Sequence, residues 1–208
     1  IVLLGQIVNA YGLDLDGTTL ADLLYHVDKI PGIERIRFTT AHPQYLTRQL
    51  VEAMKDLSSV CEELNLPIQS GDNNVLKRMA RGYNVEQYRE KVALIRDAVP
   101  GIALSTDVIV GFCGESEHQF EQTLHVLDEI RFDQVHVAAF SARAGTIGSK
   151  WPDDVTQANK LRRLHLVERQ QANISSHINT TYVGTVHDVL LEELVLGKGG
   201  DATPRWRG

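Results

Sequence analysis

The chain is short of the features by which a sequence declares a special environment. Two of its 208 residues are cysteine, Cys61 and Cys113, far apart and without paired spacing. That argues against a disulfide framework and for a reducing, cytoplasmic setting. No apolar run approaches the roughly 20 residues of a membrane span, so a protein with no membrane partner is expected. No charged leader or small-residue cleavage site precedes Ile1, and because the first residue is not methionine the chain is expected to be a piece of something longer. A Walker sequence and a G-x-G-x-x-G turn are both missing, which argues against an ordinary nucleotide fold. The eight histidines are scattered without metal spacing, and His118 and His125, seven apart on a predicted helix, are expected at its surface. Positive charge is in deficit: 21 Lys and Arg stand against 27 Asp and Glu, a formal net charge of -6. This disfavours a nucleic-acid footprint over the whole chain and leaves local basic patches at Arg162-Arg163 and Arg205-Trp206-Arg207.

What is present is an alternation. With 43% hydrophobic and 23% charged residues, the chain can bury one substantial core and carry a second small domain. Strand patterns at 1–6, 35–40, 61–68, 103–112 and 134–141 are separated by helical patterns, with Thr18 or Thr19, Thr47, Asp72, Asn84 and Ser116 placed to cap the helices. Strand, helix, strand repeated in this way predicts an α/β fold of parallel strands with right-handed crossovers, either an open doubly wound sheet or a barrel. After the break Ala144 to Gly148 comes a long helical pattern from about Thr156 to Ile178. From about residue 181 the texture changes. Thr185 to Glu192 is strand-like and the Gly197-Lys198-Gly199-Gly200 turn leads to a basic-aromatic end, the expected start of a truncated all-β unit.

Two apolar runs end in polar and glycine residues just before a helix: Leu66-Pro67-Ile68-Gln69-Ser70-Gly71-Asp72 and Ser105-Thr106-Asp107-Val108-Ile109-Val110-Gly111-Phe112-Cys113-Gly114-Glu115. Parallel strands deliver functional side chains at their carboxyl ends, so both point to one rim. His42 follows the strand 35–40 directly and precedes Pro43, between lining that rim and shaping its loop. An aldolase-like barrel would need a lysine of lowered pKa at a strand end, and no strand here ends in lysine.

Five ordered blocks, Leu3 to Gly12, Arg37 to Pro43, Leu66 to Gly71 with Met79-Ala80-Arg81-Gly82-Tyr83, Ser105 to Glu115, and Ser141 to Thr146, resemble those of the radical-SAM methylthiotransferase family across nearly the whole chain. Within it, Gly5-Gln6-x-Val8-Asn9-Ala10-Tyr11-Gly12 is most similar to the branch acting on isopentenyl-adenosine beside the tRNA anticodon. The branch acting on a ribosomal-protein aspartate, and a non-catalytic module binding S-adenosylmethionine or RNA, are the alternatives. The resemblance implies a partial TIM-like (β/α) radical-SAM barrel at 1–180 lacking its first strand, then the beginning of a TRAM RNA-binding domain at 181–208. It implies S-adenosyl-L-methionine as cofactor, 4Fe-4S clusters in the intact parent, and tRNA and an electron-donor protein as partners. The C-x-x-x-C-x-x-C loop and the N-terminal domain of the family are missing, and two distant cysteines cannot hold a cluster. The chain alone is therefore expected to be inactive and without iron, and its open barrel edge speaks for truncation.

For the cofactor, the resemblance implies that Ile109 and Gly111 cradle the adenine, Glu115 holds their loop, Gln69, Ser70 and Gln6 bond the ribose or the amino-acid part, and Arg143 meets the carboxylate. Each has a structural alternative: Ile109 in the barrel core, Gln69 and Ser70 as helix caps, Arg143 as a solvated cation. No side chain is assigned a catalytic or metal-binding role. Cys113 stands where the family has proline, and a structural replacement is expected there rather than a ligand or nucleophile. His42, and Arg205, Trp206 and Arg207 with cations for phosphates and a ring for stacking, are the candidate substrate or RNA contacts.

Overall fold

The computed structural model describes residues 1–15, 17–191, 193–196 and 204–207, and the chain divides into two compact units, Ile1–His177 and Ile178–Gly208. The first unit runs β1 (Val2–Leu4), α1 (Leu20–Asp28), β2 (Arg37–Thr39), α2 (Arg48–Asp56), β3 (Glu63–Asn65), α3 (Asn73–Arg78), α4 (Val85–Ala98), β4 (Ala103–Val110), α5 (Glu117–Ile130), β5 (Gln134–Ala139) and the long α6 (Gln157–Thr180), which continues into the second unit. Thr19, Thr47, Asp72, Asn84 and Ser116 cap α1 to α5 in turn, each side chain accepting a first-turn backbone N–H. Such caps are decided by neighbours in sequence, which is why they are legible there.

Strand order follows chain order. β1 pairs parallel with β2, and β3, β4 and β5 pair parallel in that sequence. The two groups meet at the parallel bridge Ile36↔Val60 and through Ala41 N–H donating to Asn65 O at 3.3 Å. A doubly wound sheet needs a point where the order reverses, and there is none here. Successive right-handed crossovers then put every helix on the same face, so the strands form a sector of a barrel. Along β4, Leu104, Thr106, Val108 and Val110 are buried against the helices, while Ser105, Asp107 and Ile109 face the concave side. The core under the helices is filled by Leu24, Ile36, Leu64, Leu66, Ile68, Tyr88, Ile95, Phe120 and Phe132, each under 2% exposed.

The third strand is shorter than its apolar run because the chain leaves the ladder after Asn65. Leu66 N–H still reaches Ser105 O at 2.9 Å, but Ile68 N–H bonds the Thr106 Oγ1, and that hydroxyl together with Tyr88 OH donates to Leu66 O at 2.9 and 2.6 Å. Buried side-chain hydroxyls thus replace ladder bonds where the chain bends toward the rim. Pairing resumes at Gln69, bridged to Val108.

In the second unit β6 (Glu193–Leu196) and β7 (Pro204–Arg207) form an antiparallel pair with Leu194 opposite Trp206. The expected strand at 185–192 is corrected: residues 185–191 are exposed and lie in no strand, and Glu192 lies outside the described residues. Alternation of Val and Leu made the segment strand-like, but a strand needs a ladder partner, and the one described for this region starts at Glu193.

Candidate cofactor-binding cleft at the strand carboxyl ends

The bend after β3 delivers Gln69 to the rim with a positive φ of 70°. It is held there by its N–H donating to Asp107 O at 2.8 Å and its carbonyl accepting Ile109 N–H at 2.9 Å. A side chain in this region costs about 1–3 kcal/mol, and such residues gather at functional sites. Here the strained residue lines a cavity of about 240 Å³ with Gln6, Ile7, Thr40, Ala41, His42, Pro67, Arg81 and Asp107.

A second cavity, about 550 Å³, lies beside it. Ile109 and Phe112 from the β4 end form one wall, Ala138, Ala139, Phe140 and Ser141 from the β5 end form the other, and Arg78 to Arg81 with Arg143, Thr146 and Gly148 complete it. The facing rings of Phe112 and Phe140 meet edge to face at 4.8 Å. Arg81 lines both cavities. Its Nε and that of Arg78 are buried without a hydrogen-bond partner, and a buried donor left unpaired is costly unless something answers it.

Behind the first wall, Gly111 turns with φ 71° and its N–H donates to Glu115 Oε2 at 2.6 Å. The same oxygen accepts Arg163 Nη1–H at 2.8 Å. Burial raises the Glu115 carboxyl above its usual range, against the opposing pull of the Gly111 N–H and of Arg163.

The structure brings Gln6, Gln69 and His42 to the small cavity and Ile109 and Arg143 to the large one, while Gly111 and Glu115 shape the loop behind it. Ser70 is a correction. It is 0% exposed and its hydroxyl lies 3.4 Å from Thr123 Oγ1, accepting Asp72 N–H at 3.3 Å, so it ties the junction to α5 and does not reach either cavity. Alternation across the strained Gln69 turns its neighbour to the helix side. The patch at Arg162-Arg163 is corrected as well: both side chains bond Glu117, and Arg163 is 4% exposed. His118 and His125 are exposed. Cys113 is buried, its thiol 3.8 Å from Gly148 O and pushed up by burial, an inert packing residue. Trp206 is 61% exposed on β7, and the side chains of Arg205 and Arg207 lie outside the described residues.

Sequence reasoning gave no role to Arg78, Arg81 or Asp107. Arg81 and Asp107 stand inside the blocks that carried the resemblance and Arg78 directly precedes one of them, so the arginines at 78 and 81 were the available signal.

His42 is half-buried. Its Nδ1 accepts Gln44 N–H at 3.3 Å, which leaves the proton of the neutral ring on Nε2. Its ring packs edge-on against Tyr83 at 5.4 Å. Burial first, and then the Arg81 charge, hold its pKa below the usual histidine value.

An apolar surface for an aromatic base, amide and carboxylate groups for hydroxyls, and arginines for a carboxylate suit S-adenosylmethionine, and about 550 Å³ is within the usual range for a small-molecule site. An iron–sulfur cluster does not fit this chain, which has two cysteines; among the described residues no group of three His, Cys, Asp or Glu could hold a metal ion.

A barrel sector of parallel strands with a nucleoside-sized cleft at its carboxyl rim defines a cofactor-binding α/β-barrel protein. Residues 5–127 match the family model described as the Radical SAM superfamily, and the chain belongs to that superfamily. It is 46% identical over 209 residues to the tRNA-2-methylthio-N(6)-dimethylallyladenosine synthase of Acetivibrio thermocellus, a match covering 100% of this chain and 44% of that protein. The chain thus spans less than half the length of this relative. Coproporphyrinogen III oxidase (HemN) from Escherichia coli, described as a radical SAM enzyme, has a similar fold with TM-score 0.57 at 14% identity, covering 74% of this chain and 36% of that one. Among the described residues no helix is long and apolar enough to cross a membrane.

Proposed function

We propose that the chain is the barrel portion, with the start of a TRAM-type β unit, of a cytoplasmic tRNA methylthiotransferase acting on isopentenyl-adenosine next to the anticodon. The observation that carries the reading is the pair of rim cavities sharing Arg81, in a chain 46% identical along its whole length to a synthase of that name. S-adenosylmethionine, when bound, supplies both a methyl group and the source of a radical able to attack an unreactive C–H bond. This chain's residues bind and orient it. Ile109, Phe112 and Phe140 pack on the adenine, Gln69 and Asp107 take the ribose hydroxyls, and Arg81, with Gln6 beside it, receives the amino-acid end. Arg143 closes the mouth of the large cavity. With two cysteines this chain cannot itself supply the three thiolates of a 4Fe-4S cluster, and an electron-donor protein is a further partner in this reading.

RNA is engaged at two places in this reading. His42 Nε2–H faces the small cavity as a donor to the incoming base, and Arg205, Trp206 and Arg207 on β7 offer charge and a stacking face to the anticodon arm. The test is mass spectrometry of tRNA nucleosides from cells lacking the parent gene. Loss of methylthio-isopentenyl-adenosine with accumulation of isopentenyl-adenosine is expected. Unchanged levels would sink the tRNA assignment.

A further inference from the structure

The two walls of the larger cavity are joined by the β4–β5 ladder as far as Val110↔Ala139 and by Phe140 N–H donating to Val110 O at 2.8 Å. Beyond that pair the strands have left the sheet, yet Phe112, Phe140 and Ser141 line the cavity there. Past the Phe140 N–H, backbone pairing no longer ties the two segments together.

A side chain of α6 ties them from the buried side. Lys160 is 2% exposed, an unusual place for an ammonium group unless it is fully answered. Its Nζ donates to Phe140 O at 3.1 Å and to both carboxylate oxygens of Asp153 at 2.6 Å, and it lies 5.2 Å from the Phe140 ring centroid. Its stem runs under Gly111, where a Cβ would come within 2.4 Å of Lys160 Cγ. Arg163, one turn on, holds Glu115 and through it the Gly111 N–H. The neighbouring Asp154 Oδ1 accepts Gly114 N–H at 2.6 Å.

We propose that Lys160 is a positioning residue for the nucleoside end of S-adenosylmethionine: by binding the Phe140 carbonyl on one side and supporting Gly111 on the other, it fixes the joined apolar surface of Phe112 and Phe140 on which the adenine packs. The proposal rests on the cofactor reading above. Lys160 touches neither the cofactor nor the reacting atoms, and its effect passes through Ile109 and Phe112 on one side and Phe140 on the other.

The experiment measures binding of two probes to the full chain by calorimetry at 25 °C: S-adenosylmethionine, and 5′-methylthioadenosine, which has the nucleoside end alone. Lys160→Met keeps the stem under Gly111 and removes the charge that reaches Phe140. It is expected to weaken both probes about tenfold and by the same factor. Hydrogen exchange at the Gly111 and Gly114 amides is expected to quicken, while that of the β3–β4 ladder stays as it was. A lysine that only stabilised the fold would lower the melting temperature and leave both affinities unchanged in the folded variant, and that result overturns the inference, as does a loss confined to S-adenosylmethionine. If Lys160→Met fails to fold, Asp153→Asn carries the test, since it removes the anchoring carboxylate and keeps the lysine; weaker binding of both probes supports the inference and unaltered binding overturns it. If the unsubstituted chain binds neither probe, the cofactor reading falls and the inference with it.

Discussion

At the scale of the residue, position was legible and state was not. His42 could be placed at the rim from its spot after a strand and before Pro43, but its tautomer depends on Gln44 N–H, and its depressed pKa on burial and on Arg81, which the fold brings from 39 positions away. Because the folded-state pKa is lowered, the stability this histidine contributes is complete above the unfolded value of about 6.5 and is lost as pH falls through the folded value. Imidazole NMR resonances of His42 should therefore titrate below 6.5. Arg81→Met should move the midpoint part of the way back, since burial, the larger cause, remains; a midpoint at or above 6.5 in the unsubstituted chain would refute this. Gln69 makes the same point from the other direction. Its amide suggested a ligand-binding group, while its left-handed φ follows from bonds to Asp107 and Ile109 on another strand.

At the scale of the element, the helices were the legible part, since capping is settled within four residues. The joints between elements were not. Gly71, between the third strand and α3, donates its N–H to Thr123 Oγ1 of α5 at 2.9 Å, and a Cβ on it would lie 2.5 Å from Thr123 Cα. Nothing in the pattern of α5, with Phe120, Leu124 and Leu127 marking its inner face, singles out Thr123. Thr123→Val keeps the shape and strands a buried N–H, which should cost about 1–3 kcal/mol. In a chain of this size that lowers the melting temperature by roughly 2–4 °C per kcal/mol. Gly71→Ala forces backbone from backbone and should cost more than Thr123→Val. Calorimetric melting should rank the chains unsubstituted, then T123V, then G71A, and an unchanged melting temperature for T123V would show that the joint is not sealed by this bond.

At the scale of the whole molecule, the order of the strands makes the barrel sector and also leaves β1, among the described residues, paired on one side alone. Ile1, Val2 and Leu4 are 55%, 55% and 76% exposed along it. An uncovered apolar edge strand is a template for association. The chain is expected to self-associate as its concentration rises, and Leu4→Lys to suppress this in sedimentation velocity; equal association by both would assign it to another surface. The sequence by itself determined the alternation of strands and helices, the caps, and the rim on which polar and glycine residues gather, because each is written in spacings of two to four residues. Whether the sheet winds one way or two, which arginines face the cleft, which way Ser70 turns and what Lys160 holds together were decided only by the tertiary structure. Each of those is a contact between residues far apart in the chain, formed when parallel strands, joined through crossovers, bring remote segments to one rim.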